Sequence, residues 1–115
     1  MGTRESTIDL VMVTHPDPDG ALRLVSRLVG EHWVACGHVL PAGTSIFFWQ
    51  NELRTESEVT ILLKSVPENR KALEKEIRRD HPYTVPEILF LATDHGNSDY
   101  LSWVRESCRI VSMEP

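Results

Sequence analysis

Apolar positions along this chain come in two periods. Residues 8–14, Ile8-Asp9-Leu10-Val11-Met12-Val13-Thr14, form a short run rich in β-formers and read as a buried strand. The run stops at His15-Pro16-Asp17-Pro18-Asp19-Gly20, where two prolines break it. Asp17 is placed to cap a new helix, with Pro18 at its first position. That helix is expected to reach about Trp33. Ala21, Leu24 and Leu28 recur at helical spacing, and Leu22, Val25 and Val29 widen the apolar face.

Residues 34–40 read as a second strand, ended by Pro41-Ala42-Gly43, and residues 44–50 as a third extended piece rich in aromatics. Asn51-Glu52 allow a turn, after which residues 53–65 return as a long strand. Its outer part, Arg54 to Glu58, is polar; its inner part, Val59 to Leu63, is apolar. The pattern describes a long hairpin running from an exposed tip to a buried base. A second helix opens at Pro67-Glu68, carries Leu73 and Ile77 at i, i+4, and is ended by Pro82 after about Asp80. A last apolar run covers residues 87–93. Asn97 or Ser98 is placed to cap a final short helix with Leu101, Val104 and Cys108 on one face.

The order is β-α-β-β-α-β plus a C-terminal helix. Two strand–helix–strand crossovers around a central hairpin predict an α+β chain with a ferredoxin-like sandwich; spacing alone leaves a different strand order open. The expected organisation is one domain over residues 8–115 behind a disordered tail, residues 1–7.

Composition narrows the function classes. The formal net charge of −5 makes nucleic acid a poor partner, because such binding draws on Lys and Arg against phosphates. No stretch approaches the roughly 20 apolar residues that span a bilayer, so no membrane partner is expected. The two cysteines, Cys36 and Cys108, form no CxxC pattern and no disulfide framework. The N-terminus has no apolar signal core, and the cytoplasm is the expected compartment.

No nucleophile elbow, phosphate loop, dinucleotide fingerprint or HExxH motif is present, so an enzyme is not expected. Candidate metal donors are few. Cys36 and His38 lie two apart on a strand and share a side, where Cys36 either packs in the core or joins His38 on an ion. His81, at a helix end beside Asp80, either satisfies the last carbonyls or serves as a ligand. His15 sits in a proline-rich loop at a strand end, while His32 and His95 have no companions. Phe47, Phe48 and Trp49 near the hairpin tip would be exposed unless another chain covers them, which points to self-association. The alternative is packing under the C-terminal helix against Trp103.

These segments in this order resemble the CutA family of divalent-cation tolerance proteins. The strand followed by His15-Pro16-Asp17 resembles that family's opening, and Val34-Ala35-Cys36, Leu40-Pro41-Ala42-Gly43-Thr44-Ser45-Ile46 and Trp49 resemble its central segment. Glu58-Val59 running into Leu63-Lys64, then His81-Pro82-Tyr83 with Val85-Pro86-Glu87-Ile88, are similar to its further motifs, as is Asn97 with Tyr100-Leu101-Ser102-Trp103. The resemblance spans residues 8–108. It implies a ferredoxin-like fold, a PII-like homotrimer built by strand pairing with Phe47, Phe48, Trp49 and Trp103 at the interface, and a link to copper and other divalent metals. No cofactor is required; the implied partners are the chain itself and a divalent cation such as copper or zinc. Some bacterial members carry a cysteine at the end of the first strand and a pair of histidines before Pro-Tyr; here those places hold Val13 and Asp80-His81. Gln50 stands where a glutamate is usual and His38 where an asparagine is frequent. The expected site is then a harder N/O set, His15, Asp80 and His81, suited to Cu(II), Zn or Ni, with Cys36 and His38 as a second candidate. The PII likeness implies an alternative role: binding a small anionic effector at subunit clefts through basic groups such as Arg54, Lys64 or Arg70.

Overall fold

The computed structural model describes residues 7–111. Most of the tail expected to be disordered lies outside those residues. Thr7, the described member of it, accepts Nη1–H of Arg105 on its carbonyl at 3.0 Å.

The chain runs β1 (Asp9–His15), α1 (Pro18–Gly30), β2 (Cys36–Val39), β3 (Gly43–Trp49), β4 (Glu52–Ser65), a 3-10 turn (Pro67–Asn69), α2 (Arg70–Asp80), β5 (Ile88–Ala92) and α3 (Ser98–Ser107). The sheet order is β2-β4-β1-β5, with β3 also paired to β4, and every pairing is antiparallel. β1 and β2 are thus parallel to each other with β4 between them, the split βαβ arrangement of a ferredoxin-like fold. β2 and β3 are two pieces laid end to end along the 14-residue β4. Val39 faces Ile61 and Gly43 faces Glu58, so four steps on one side span three on the other. The extra residue makes a bulge at Leu40-Pro41-Ala42, where proline is tolerated.

The core lies between one sheet face and the first two helices. Val11, Val13, Val59, Ile61 and Leu63 alternate along β1 and β4 and meet Ala21, Leu24, Val25 and Leu28 of α1 and Leu73 and Ile77 of α2. Each buried valine, leucine and isoleucine among them contributes about 1.5–3 kcal/mol by leaving water. Gly37 makes the approach of α1 possible: a Cβ there would lie 2.7 Å from Val25 Cγ1 and 2.8 Å from Leu63 Cδ2. A smaller cluster, Ile8, Ala35, Val66, Val104 and Cys108, seats α3.

Three local expectations are corrected. α1 ends at Gly30 rather than Trp33, because His32 takes a left-handed conformation (φ 65°). Its N–H bonds Val29 O and the Trp33 N–H bonds Leu28 O, a Schellman closure with histidine in the usual glycine position. Leu22 points to solvent instead of widening the core face. Asn97 occupies the N-cap of α3, yet its side chain donates to Asp99 and caps nothing.

Candidate functional site

His15 and His81 meet where β1 ends and α2 gives way to the His81-Pro82-Tyr83 segment; their ring centroids are 4.9 Å apart. Both are buried. The Asp17 N–H donates to His15 Nδ1 at 3.0 Å, which leaves the proton of the neutral ring on Nε2. Gly20 lets the first turn of α1 sit against this ring, since a Cβ there would be 2.7 Å from His15 Cε1. His81 uses both nitrogens. Tyr83 N–H donates to Nδ1 at 3.1 Å, and Nε2 lies 2.7 Å from the Thr14 carbonyl, which only accepts, so Nε2 carries the proton. Burial, and then the neighbouring His81, hold the His15 pKa below its ordinary value.

Asp80 borders the same cleft as His15, yet its carboxylate is taken by another partner. Its Oδ2 accepts Arg27 Nε at 2.7 Å, and Arg27 also donates to Glu31, to the Glu76 carboxylate and to the Glu76 carbonyl. Burial opposes the Arg27 charge, but the Glu76 and Asp80 hydrogen bonds outweigh it and raise its pKa. The structure therefore brings together two of the three residues expected as a metal set, and commits the third to an ion-pair network tying α1 to α2. Among the described residues, no three of His, Cys, Asp and Glu converge so as to hold a metal ion. A cation at this place would have to displace Tyr83 N–H or the Thr14 carbonyl from His81, and would share the Asp80 carboxylate with Arg27.

The second pair lies on β2. Cys36 Sγ is 3.6 Å from Tyr100 Oη and 3.8 Å from Lys64 Nζ, its cross-strand neighbour, while His38 is exposed two residues on. Burial, then Cys36, push Tyr100 up to about 12. Arg70 is bidentate on the fully buried Asp9, at 2.6 and 2.7 Å. Of the three basic groups expected at an effector cleft, Lys64 thus faces a thiol, Arg70, though exposed, is committed to Asp9, and Arg54 remains.

Arg54 lies on the outer hairpin. Gln50 and Asn51 form its tip, both at positive φ (52° and 66°), as a two-residue turn between strands of this twist requires. The register places Phe47 opposite Arg54 and Trp49 opposite Glu52 on one face, and Phe48 opposite Leu53 and Ile46 opposite Thr55 on the other. Alternation therefore divides the aromatics expected to act as one group. On the second face Ile46, Phe48 and Leu53 are 67%, 73% and 67% exposed. On the first, Phe47, Trp49, Arg54 and Glu56 line a cleft of about 350 Å³ with Tyr83, Thr84 and Val85. Tyr83 Oη and Ser45 Oγ each donate to the Glu58 carboxylate at 2.6 Å, which fixes the 83–85 segment against the hairpin. Burial, then Glu58, push Tyr83 up to about 12. Trp103 is also exposed, its ring 5.7 Å from that of Tyr100 on α3. The sequence reading missed the cleft; the signal was the two-residue alternation of Phe47, Trp49, Arg54 and Glu56.

The fold and these features have counterparts among known proteins. Residues 9–107 match the family model of the CutA1 divalent ion tolerance protein. The chain belongs to that family. It is 38% identical over 100 residues to the divalent-cation tolerance protein CutA of Citrobacter koseri, covering 87% of each chain. It is 36% identical over 104 residues to the CutA of Escherichia coli O45:K1, covering 90% of this chain and 93% of that one. Among solved structures, the Cut A1 divalent cation tolerance protein of Thermus thermophilus superposes with a TM-score of 0.86 at 35% identity, over 89% of this chain and 99% of that one. CutA1 of Oryza sativa gives 0.88 at 28%, over 93% and 98%. CutA of Archaeoglobus fulgidus, described as periplasmic, shares the fold at 24% identity, with a TM-score of 0.84 over 87% of this chain and 97% of that one. Among the described residues of this CutA family member, no helix is long and apolar enough to cross a membrane.

Proposed function

We propose that this CutA family member serves divalent-cation tolerance as a homotrimer, by assembly and ligand binding rather than by catalysis. The observation that supports this most is the outer hairpin. A lone two-stranded hairpin is marginal in water, and this one leaves Ile46, Phe48 and Leu53 uncovered. The unpaired edge of β3 and the exposed Leu89 and Leu91 on β5 call for the same cover. Copies of the chain supply it, with Phe47, Phe48, Trp49 and Trp103 at the contact. The proposed compartment is the cytoplasm, where thiols such as the free Cys36 and Cys108 stay reduced.

Within this reading His15, Asp80 and His81 are the proposed ligands for Cu(II) or Zn, with Cys36 and His38 as the second candidate. Because the first set must break existing hydrogen bonds before it coordinates, metal binding is weak and rearranges residues 80–83. Native mass spectrometry of the chain titrated with Cu(II) and Zn(II) tests both parts. The expected result is a three-chain mass with about one ion per chain, lost in His81→Ala. Uptake unchanged in His81→Ala and lost in Cys36→Ser would move the site to β2. A trimer that stays metal-free would remove the ion from the reading and leave the assembly.

One observation favours a second role, a PII-like module that binds a small effector: the cleft holding Arg54. Thermal stabilisation by a small molecule without metal would support it.

A further inference from the structure

The cleft beneath the hairpin carries charges of both signs that its neighbours match only in part. Arg54 approaches Glu52 only at 3.5 Å, and its Nε–H is closed off from water without an acceptor. An unmade hydrogen bond of that kind costs about 1–3 kcal/mol, and the rest of the guanidinium, on a side chain 40% exposed, can still meet a further acceptor. Glu56, one register step inward on the same face, makes no hydrogen bond or ion pair with its carboxylate among the described residues. Phe47 and Trp49 line the cleft with aromatic surface, and Thr84 and Val85 line it as well. The volume, about 350 Å³, sits at the small end of ligand pockets. The Tyr83 hydroxyl is already given to Glu58, so selectivity rests on Arg54 and Glu56.

A simple anion would satisfy Arg54 but meet Glu56 and Glu52. A simple cation would satisfy Glu56 but meet Arg54. We propose that this cleft binds a small zwitterion with an apolar body, the chemistry of a free hydrophobic or aromatic α-amino acid. Its carboxylate bonds Arg54, its ammonium bonds Glu56, and its side chain lies against Phe47 and Trp49. The proposal rests on the effector-module reading and names the ligand class for it.

Isothermal titration of the full-length chain with L-phenylalanine tests this, with phenylacetate, phenethylamine and inorganic phosphate as one-charge controls. The expected result is saturable binding of L-phenylalanine, at least tenfold tighter than any control. Arg54→Gln and Glu56→Gln should each weaken it by about tenfold or more, the measure of one charged hydrogen bond. Both residues lie on the exposed hairpin, and an unchanged melting temperature and assembly mass confirm that the variants fold. Phenylacetate or phosphate binding as tightly as L-phenylalanine, and lost in Arg54→Gln, would overturn the zwitterion assignment while keeping an anionic effector. No binding of any of the four compounds, or a crystal structure with a neighbouring copy filling the cleft, would overturn both the ligand and the effector reading at this place.

Discussion

The base of the sheet and the outer hairpin share one strand, β4, yet they solve opposite problems. From Val59 to Ser65 that strand lies between β1 and β2 and under α1, and its core-facing residues are buried. The polar groups near them are matched: Asp9 by Arg70, Asn69 by the Arg109 carbonyl and Val111 N–H, Ser65 by the Trp33 carbonyl. From Glu52 to Ser57 the same strand has only β3 beside it, both hairpin faces keep apolar area in water, and Arg54 meets Glu52 at 3.5 Å while its Nε has no acceptor among the described residues. The base is a finished core. The hairpin is a surface left unfinished within one chain; in the proposed assembly copies of the chain complete it, and the proposed ligand sits in a cleft whose walls, Phe47 and Trp49, border that same contact.

The comparison can be broken most sharply at Asp9. Arg70→Ala leaves its carboxylate charged and enclosed, and should cost about 3 kcal/mol of unfolding free energy in urea, the low end for a broken buried pair because the Arg70 side chain is itself half exposed. A loss below about 1 kcal/mol would mean that water reaches Asp9 and the base is less closed than described. Gly37→Ala should cost about 1–2 kcal/mol by forcing Val25 and Leu63 apart, with the loss seen by thermal unfolding.

Acid should act on the base through His15. Its pKa is lowered on folding, so the unfolded chain binds the proton more readily than the native one below about pH 6.5. Stability is therefore full at neutral pH and falls as pH drops, by at most about 1.4 kcal/mol per pH unit for this one proton. Urea unfolding between pH 7 and pH 5 reads this, and His15→Gln should flatten the slope. The smallest effect on the base comes from the hairpin. Replacing Ile46, Phe48 and Leu53 together by Thr should lower amide protection in the hairpin more than in β1 and in Val59 to Ser65, which lose only what assembly adds, while the assembly falls to single chains.

What the sequence made legible follows from where the information lies. Prolines 16, 18 and 82 mark breaks in the chain, and the apolar runs rich in β-formers at 8–14 and 59–63 mark buried strands, so element order and fold class were readable. The end of α1 was not, because a left-handed histidine replaced the glycine that usually signals it. Nor was the fate of Asp80: its partner Arg27 is 53 residues away, and only the packing of α1 on α2 brings them together. His15 and His81 were named and do meet. Their ring nitrogens are engaged by the backbone of Asp17, Tyr83 and Thr14, contacts that no residue identity announces.

The central claim is that the hairpin is completed by further copies of the chain. Sedimentation equilibrium of the full-length protein at micromolar concentration, without added metal, tests it most directly. The account predicts the mass of three chains, unchanged on tenfold dilution and reduced to one chain by the triple Thr substitution at Ile46, Phe48 and Leu53. A wild-type chain that sediments as a folded monomer would contradict it.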